Sequence, residues 1–163
     1  MKLDKILVPL DGSALAESAI PKAVEMARIG LSSLLLVRAA EAHTLPGADP
    51  TEAQVEAVRE AEEYLKGVSD RLARDGVRNL ETSVWYGPAA PAIVDAARLR
   101  KVDLIVMTTH GRSGLGRLFL GSVAESVLRG TSTPILLLRA PGAPVEEPQG
   151  AGQVQAPKEP ARV

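Results

Sequence analysis

Five short apolar runs, separated by segments with helical periodicity, are the feature that most constrains the fold of this chain. The runs begin at Ile6, Leu34, Leu80, Leu104 and Ile135. Four of them are continuously apolar, as in strands buried on both faces, whereas the third alternates apolar with polar residues, as in a strand near a sheet edge. Strands that alternate with helices favour a parallel sheet with helices on both faces. We therefore predict an α/β fold with an open five-stranded parallel sheet.

The segments between these runs have the spacing of amphipathic helices. The clearest helix covers residues 51–74, where apolar residues recur at intervals of three and four. Ser13 is expected to cap a helix that ends at Gly30, and Pro21 to bend or weaken it. Two shorter helices are predicted from about Pro91 to Arg100 and from Ser122 to Arg129. The predicted strands cover residues 6–9, 34–37, 80–86, 104–107 and 135–138.

Length and composition indicate one globular domain followed by a tail. The chain has 163 residues, of which 45% are hydrophobic and 24% charged, and this suffices for one substantial core. The last part of the chain contains five prolines, three glycines and almost no large apolar residue, a composition typical of a mobile tail. We predict a domain at residues 1–139 and a flexible tail at residues 140–163.

The charge balance and the residue types exclude several classes of function. The 19 Lys and Arg residues against 20 Asp and Glu give a net charge of −1, so no overall field would hold nucleic acid or an acidic membrane. The absence of cysteine excludes disulfides and thiolate metal sites, and two histidines make a dedicated transition-metal site unexpected. No apolar run reaches the roughly 18 residues of a membrane span, and the first residues lack an export pattern. We expect a cytoplasmic protein.

Two of the predicted strands end in residues that suit a ligand site. Asp11 follows the first strand, and a glycine-bearing segment follows the fourth and leads to a helix that starts at Ser122. Ligands of open parallel sheets bind at the carboxyl ends of strands where the strand order reverses. The N–H groups of a helix start bind phosphate, Asp11 accepts from ribose or base, and Arg112 and Arg117 add positive charge. These residues predict an anion site, and more specifically a nucleotide site.

At these two places the chain resembles the universal stress protein family. The family signature is Gly, two residues, Gly, nine residues and then Gly-Ser or Gly-Thr, and this sequence has Thr108, Gly111 and Gly121-Ser122 at those positions. The run from Ile6 to Ser13 is similar to the family's opening strand and its aspartate. The resemblance covers roughly residues 3–139. It implies a Rossmann-like fold with strand order 3-2-1-4-5 and a homodimer in which the last strands meet.

The resemblance also implies a ligand and the residues that hold it. The ligand would be ATP, with Mg²⁺ bound through the phosphates. The ends of the first two strands would hold the adenosine, and the later motif would hold the ribose and the phosphates. The implied residues are Pro9 and Asp11 by the adenosine, Ala39 at the base through its backbone, Met107, Thr108, His110 and Gly111 along the ribose and phosphates, and Gly121, Ser122 and Val123 at the triphosphate.

Thr108 is the position where the sequence departs from the signature, which has glycine there. Its β-branched side chain would crowd the ribose or resist the required dihedral angle, at a cost of ~1 to 3 kcal/mol, or its hydroxyl would bond to the ligand. Asp11 has a second interpretation as well, because Asp-Gly-Ser before a helix is a common turn and cap, and the two roles can coexist.

Two hypotheses about function follow. The first is a dimeric ATP-binding stress-response or regulatory protein that presents a nucleotide-dependent surface to a protein partner, with slow hydrolysis at most, because His110 has no evident catalytic partner. The second is a dimeric interaction module of the same fold that no longer binds nucleotide. A P-loop kinase or ATPase is disfavoured, because the chain has no Gly-x-x-x-x-Gly-Lys-Ser/Thr segment.

Overall fold

A computed structural model of the chain describes residues 3–42, 49–109 and 121–142, and within these ranges it contains one five-stranded sheet. Every pair of neighbouring strands is parallel, in the order β3-β2-β1-β4-β5. The predicted α/β fold and the order 3-2-1-4-5 are thus confirmed. The strands are β1 (Lys5–Pro9), β2 (Ser33–Ala40), β3 (Leu80–Tyr86), β4 (Leu104–Thr108) and β5 (Ile135–Leu138).

Helices cover both faces of the sheet, because successive side chains of each strand point to opposite faces. Leu34 and Leu36 of β2 belong to the core under the second and third helices, and Leu35 and Val37 belong to the core under the fourth and fifth. The helices of the described ranges are α1 (Ala14–Glu17), α2 (Ile20–Gly30), α3 (Pro50–Arg74), α4 (Ala89–Leu99) and α5 (Ser122–Gly130). None of them combines the length and the apolar character that crossing a membrane requires.

The prediction of one helix from Ser13 to Gly30 is wrong, because the structure has two helices there. Ser13 caps α1 as predicted, and its hydroxyl oxygen accepts the Ala16 N–H at 3.1 Å. Pro21 lies in the first turn of α2, where the missing N–H is not needed, so it starts a helix and does not bend one. The left-handed residue that ends α2 is Leu31, with φ 54°, and not a glycine.

The ends of two central strands extend further than the sequence predicts. β2 continues past Val37 to Ala40, and β4 includes Thr108. The prediction stopped β2 too early because Arg38 ends the apolar run. β1 pairs with β2 along its whole length, whereas its register with β4 covers Ile6–Leu104 and Leu7–Ile105 and is extended by the hydrogen bond from the Asp103 N–H to the Lys5 carbonyl oxygen.

Candidate functional site

A cavity of about 180 Å³ lies at the carboxyl ends of β1, β2 and β4. The strand order reverses between β1 and β4, so this is the place where open parallel sheets bind ligands. Sites that enclose a whole drug-sized ligand measure roughly 300 Å³ or more, and this cavity therefore encloses one end of a larger ligand. It is lined by Pro9, Leu10, Asp11, Ala16, Val37, Arg38, Ala39, Ala89, Ile93, Met107, Thr108, Val123 and Ala124.

Many of the predicted site residues meet at this cavity although they are far apart in the sequence. Gly121 is the N-cap residue of α5 and Ser122 is its first residue, beside the lining residues Val123 and Ala124. His110, Gly111 and the two arginines proposed for the phosphates lie outside the described residues. The predicted residues that line the cavity are Pro9, Asp11, Ala39, Met107, Thr108 and Val123.

Asp11 and Ser13 form the turn that leads from β1 into α1. The Asp11 Oδ1 atom accepts the Ser13 N–H at 2.9 Å, and Gly12 between them has a φ of 87°. That φ lies in the left-handed region, which glycine adopts without strain. The turn holds the exposed carboxylate of Asp11 at the rim of the cavity. Asp11 therefore combines the turn role with a position at the site.

Thr108 is accommodated without the expected backbone strain. The non-glycine residues with positive φ in the described ranges are Leu31, Asn79 and Lys101, so Thr108 has an ordinary strand conformation. Its buried hydroxyl donates to the Leu15 carbonyl oxygen of α1 at 3.0 Å. The residue that departs from the family signature thus ties the end of β4 to α1.

Two helices begin at the cavity without a side-chain cap. Pro88 precedes α4 and Gly121 precedes α5, and neither provides a side-chain hydrogen bond to the first turn. The first N–H groups of a helix have no partner within it, and they carry the positive end of the helix dipole. By contrast, Ser13 and Asp49 cap α1 and α3 through their side chains. The uncapped starts of α4 and α5 are suited to bind acceptor groups of a ligand.

Arg38 is the basic residue among those that line the cavity, and none of the sequence motifs predicts it as a site residue. Its guanidinium carbon lies 4.7 Å from the centre of the Tyr64 ring, which is cation–π geometry. The Tyr64 hydroxyl donates to Glu17 Oε1 at 2.8 Å, and the other carboxylate oxygen of Glu17 accepts from Arg71. The one signal in the sequence is a charged residue at the end of an apolar strand, directly before Ala39.

We expect Tyr64 to make the stability of the protein sensitive to alkaline pH. Burial, followed by the hydrogen bond to Glu17, raises the pKa of Tyr64 above its usual range. A raised pKa in the folded state gives a stabilisation that is complete below the unfolded pKa of about 10 and is lost as the pH rises towards the folded pKa. Tyr64→Phe should lower the free energy of unfolding by about 1 kcal/mol at neutral pH.

The measurement is urea unfolding of wild type and Tyr64→Phe at about pH 8 and about pH 11, on either side of the unfolded pKa. The difference in stability between the two proteins should shrink at the higher pH. Tyr86→Phe is the matched control, because 56% of Tyr86 is exposed. A difference between wild type and Tyr64→Phe that stays constant across this range would contradict the assignment.

The fold is that of a Rossmann-like α/β protein, with a cavity at the switch point of the sheet, where such folds bind ligands. The model of the universal stress protein family matches residues 2–139, and the chain belongs to this family. It is 33% identical over 142 residues to the universal stress protein MJ0531 of Methanocaldococcus jannaschii, a match that covers 84% of this chain and 82% of the relative.

Solved structures share the same architecture. A protein of the universal stress protein family from Burkholderia pseudomallei is 30% identical with a TM-score of 0.68, and the match covers 84% of this chain and 96% of that one. A universal stress protein in complex with cAMP is 23% identical, with a TM-score of 0.67 and coverage of 86% and 99%. A family member from Arabidopsis thaliana with AMP bound is 16% identical, with a TM-score of 0.60 and coverage of 85% and 93%. The last two share the fold with this chain.

Proposed function

We propose that this chain is an ATP-binding stress-response or regulatory module. The observation that carries the proposal is the meeting of an apolar cavity, the Asp11 carboxylate and two uncapped helix starts at one edge of the sheet. The related structures that contain cAMP or AMP support the choice of an adenine ring. The family resemblance extends the ligand to a triphosphate held at Gly121, Ser122 and Val123.

Different residues of the cavity would contact the base and the phosphates of such a ligand. Val37, Ala39, Ile93 and Met107 offer an apolar surface to the base. The first turn of α5 offers N–H groups and a dipole to the phosphates, which would bring any Mg²⁺ with them. Within the described ranges no three His, Cys, Asp or Glu side chains cluster as a metal site, so a magnesium ion would depend on the nucleotide for most of its ligands.

The regulatory part of the proposal concerns assembly and partners. β5 is an edge strand, and all four of its residues are apolar and partly exposed. An apolar edge strand suits pairing with a second copy of the chain, and this supports a homodimer in which the last strands meet. In this proposal the dimer acts in the cytoplasm, and nucleotide occupancy alters the surface that a protein partner binds. Hydrolysis of ATP, if measured, would be slow.

A nucleotide titration tests the proposal. Purified protein is acid-extracted to identify any co-purified nucleotide, and the nucleotide-free protein is then titrated with ATP, AMP and GTP by calorimetry and thermal unfolding. ATP at about 100 times its Kd should stabilise the fold by about 2.7 kcal/mol, and Asp11→Ala should weaken ATP binding about 10-fold or more. Asp75→Ala, at the end of α3, is the control. If no adenine nucleotide binds, the proposal is wrong.

The same titration tests the second hypothesis, an interaction module that no longer binds nucleotide, through a substitution of Thr108. If the threonine at position 108 has removed nucleotide binding, the titration of wild type with ATP should show no heat of binding. Thr108→Gly should then bind ATP with a measurable affinity. The inward hydrogen bond of the Thr108 hydroxyl to Leu15 and the ordinary strand conformation of Thr108 favour the nucleotide-binding hypothesis.

A further inference from the structure

Arg38 is the basic residue among the described residues that line the cavity, and within the described ranges its guanidinium forms no ion pair. Arg28, Arg74 and Arg78 form none there either, but they are exposed and do not line the cavity. Arg38 is partly buried, and its guanidinium carries five donors in a planar fork. Because Arg38 lines the cavity, these donors are available to acceptor groups of a bound ligand.

The guanidinium of Arg38 is held in place before any ligand arrives. The Tyr64 ring supports one side of it, and Tyr64 is itself fixed through Glu17. The guanidinium also lies close to Gly12, where a Cβ atom would be in ordinary van der Waals contact with it at 3.6 Å. A pre-positioned arginine loses little side-chain entropy on binding, so its hydrogen bonds contribute more of their strength to affinity.

The position of Arg38 separates it from the phosphates at α5. The two hydrophobic cores lie on opposite faces of the sheet. Helices α4 and α5 cover one face, whereas Leu36 and helix α3, which carries Tyr64, belong to the other. Arg38 is two residues after Leu36 and shares its face. Its strand, β2, is also separated from β4 by β1, which corresponds to roughly 10 Å across the sheet. Arg38 therefore serves a different part of the ligand.

We assign this part to the ribose edge, that is, to the 2′ and 3′ oxygens of the ribose. A nucleotide with its base against Val37 and Ala39 of β2 and its 5′-phosphates at α5 would cross the end of β1, so its ribose would lie near Asp11 and beside the strand that carries Arg38. In dinucleotide-binding folds a carboxylate at this point accepts from a ribose hydroxyl, and an arginine accommodates a phosphate on the ribose. This chain has one of each.

We propose, on the basis of the function proposed above, that Arg38 binds a phosphate on the 2′ or 3′ oxygen of the ribose, so that the site prefers adenine nucleotides phosphorylated at this edge as well as at the 5′ position. Asp11 accepts a hydrogen bond from the ribose hydroxyl that remains. The interaction is a charge-assisted and bidentate arginine–phosphate contact. Arg38 is in this proposal a specificity-determining residue.

The test compares three ligands that differ only at the ribose edge: AMP, adenosine 2′,5′-bisphosphate and adenosine 3′,5′-bisphosphate. Calorimetry on the full wild-type chain should give an affinity about 10-fold or more higher for one of the bisphosphates than for AMP, and the identity of that isomer tells which oxygen carries the phosphate. Arg38→Met should reduce this preference to about 2-fold, and Arg38→Lys should restore part of it.

Arg71→Met is the matched control, because Arg71 belongs to the same cluster through Glu17 but does not line the cavity. It should keep the preference for the bisphosphate, and thermal unfolding verifies that each variant is folded. The proposal is overturned if neither bisphosphate binds wild type more tightly than AMP, or if Arg38→Met keeps the preference. ATP binding without any such preference refutes this inference alone, whereas the absence of binding by ATP, AMP and both bisphosphates refutes the proposed function as well.

Discussion

Gly121→Asp should abolish tight ATP binding and leave the protein at least as stable as wild type. Gly121 is the N-cap residue of α5, with φ −57° and ψ 149°, a conformation that residues other than glycine adopt easily. Aspartate is a preferred N-cap, and its carboxylate would accept N–H groups of the first turn. In the free protein this adds about 0.3 to 1 kcal/mol through the cap and the helix dipole.

The same carboxylate would occupy the donors that the phosphates need and would repel their charge. We expect the affinity for ATP to fall about 100-fold or more. Gly121→Asn separates the two effects, because asparagine caps the helix without a charge and should weaken binding less. Calorimetry gives the affinities, and thermal unfolding without nucleotide gives the stabilities. An ATP affinity within about 2-fold of wild type in Gly121→Asp would show that the phosphates lie elsewhere.

Leu35→Ala should destabilise the fold by about 2 to 5 kcal/mol. Leu35 is fully buried in β2, the strand between β1 and β3, and packs in the core under α4 and α5. Its truncation removes apolar contacts and leaves a cavity that a rigid parallel sheet does not close. A domain of this kind has a total stability of about 5 to 15 kcal/mol, so the variant would lose a large share of it.

Leu99→Ala is the control for this change, because the substitution is chemically identical and Leu99 at the end of α4 is 59% exposed. Its effect should stay within about 0.5 kcal/mol. Urea unfolding of the three proteins gives the comparison, with the slope of the transition as a check that the same surface is exposed. A loss below about 1 kcal/mol for Leu35→Ala would mean that this core repacks.

The sequence was most informative where burial dictates residue type. Strands covered on both faces must be apolar along their length, so the apolar run that begins at Leu34 identified β2 and its neighbours. The same rule failed at the end of β2. Arg38 continues this inner strand at its carboxyl end, where the charged head group reaches the cavity. The division between α1 and α2 was missed because the apolar spacing of residues 15–27 runs through the break, and Pro21 suits a helix start as well as a bend.

The residues of the candidate site that could be predicted are those that lie in a local sequence motif. Asp11 and Gly121 stand in local sequence patterns of a turn and of a helix start, and each could be assigned from its neighbours. Arg38 could not, because its position depends on Tyr64 of α3, which is not near it in the sequence. The hydrogen bond from Thr108 to Leu15 could not be predicted either, since it joins β4 to a helix from the start of the chain.

The candidate site lies across the seam between β1 and β4. The strands on either side of this seam come from the first and the second half of the chain, and the cavity takes residues from both, such as Asp11 on one side and Met107 on the other. If the proposed ligand binds there, it contacts both halves at once and adds a removable link across this seam. That link would add to the pairs Ile6–Leu104 and Leu7–Ile105 and to the Asp103 carboxylate, which accepts the N–H groups of Asp4 and Lys5 at the other end of the seam.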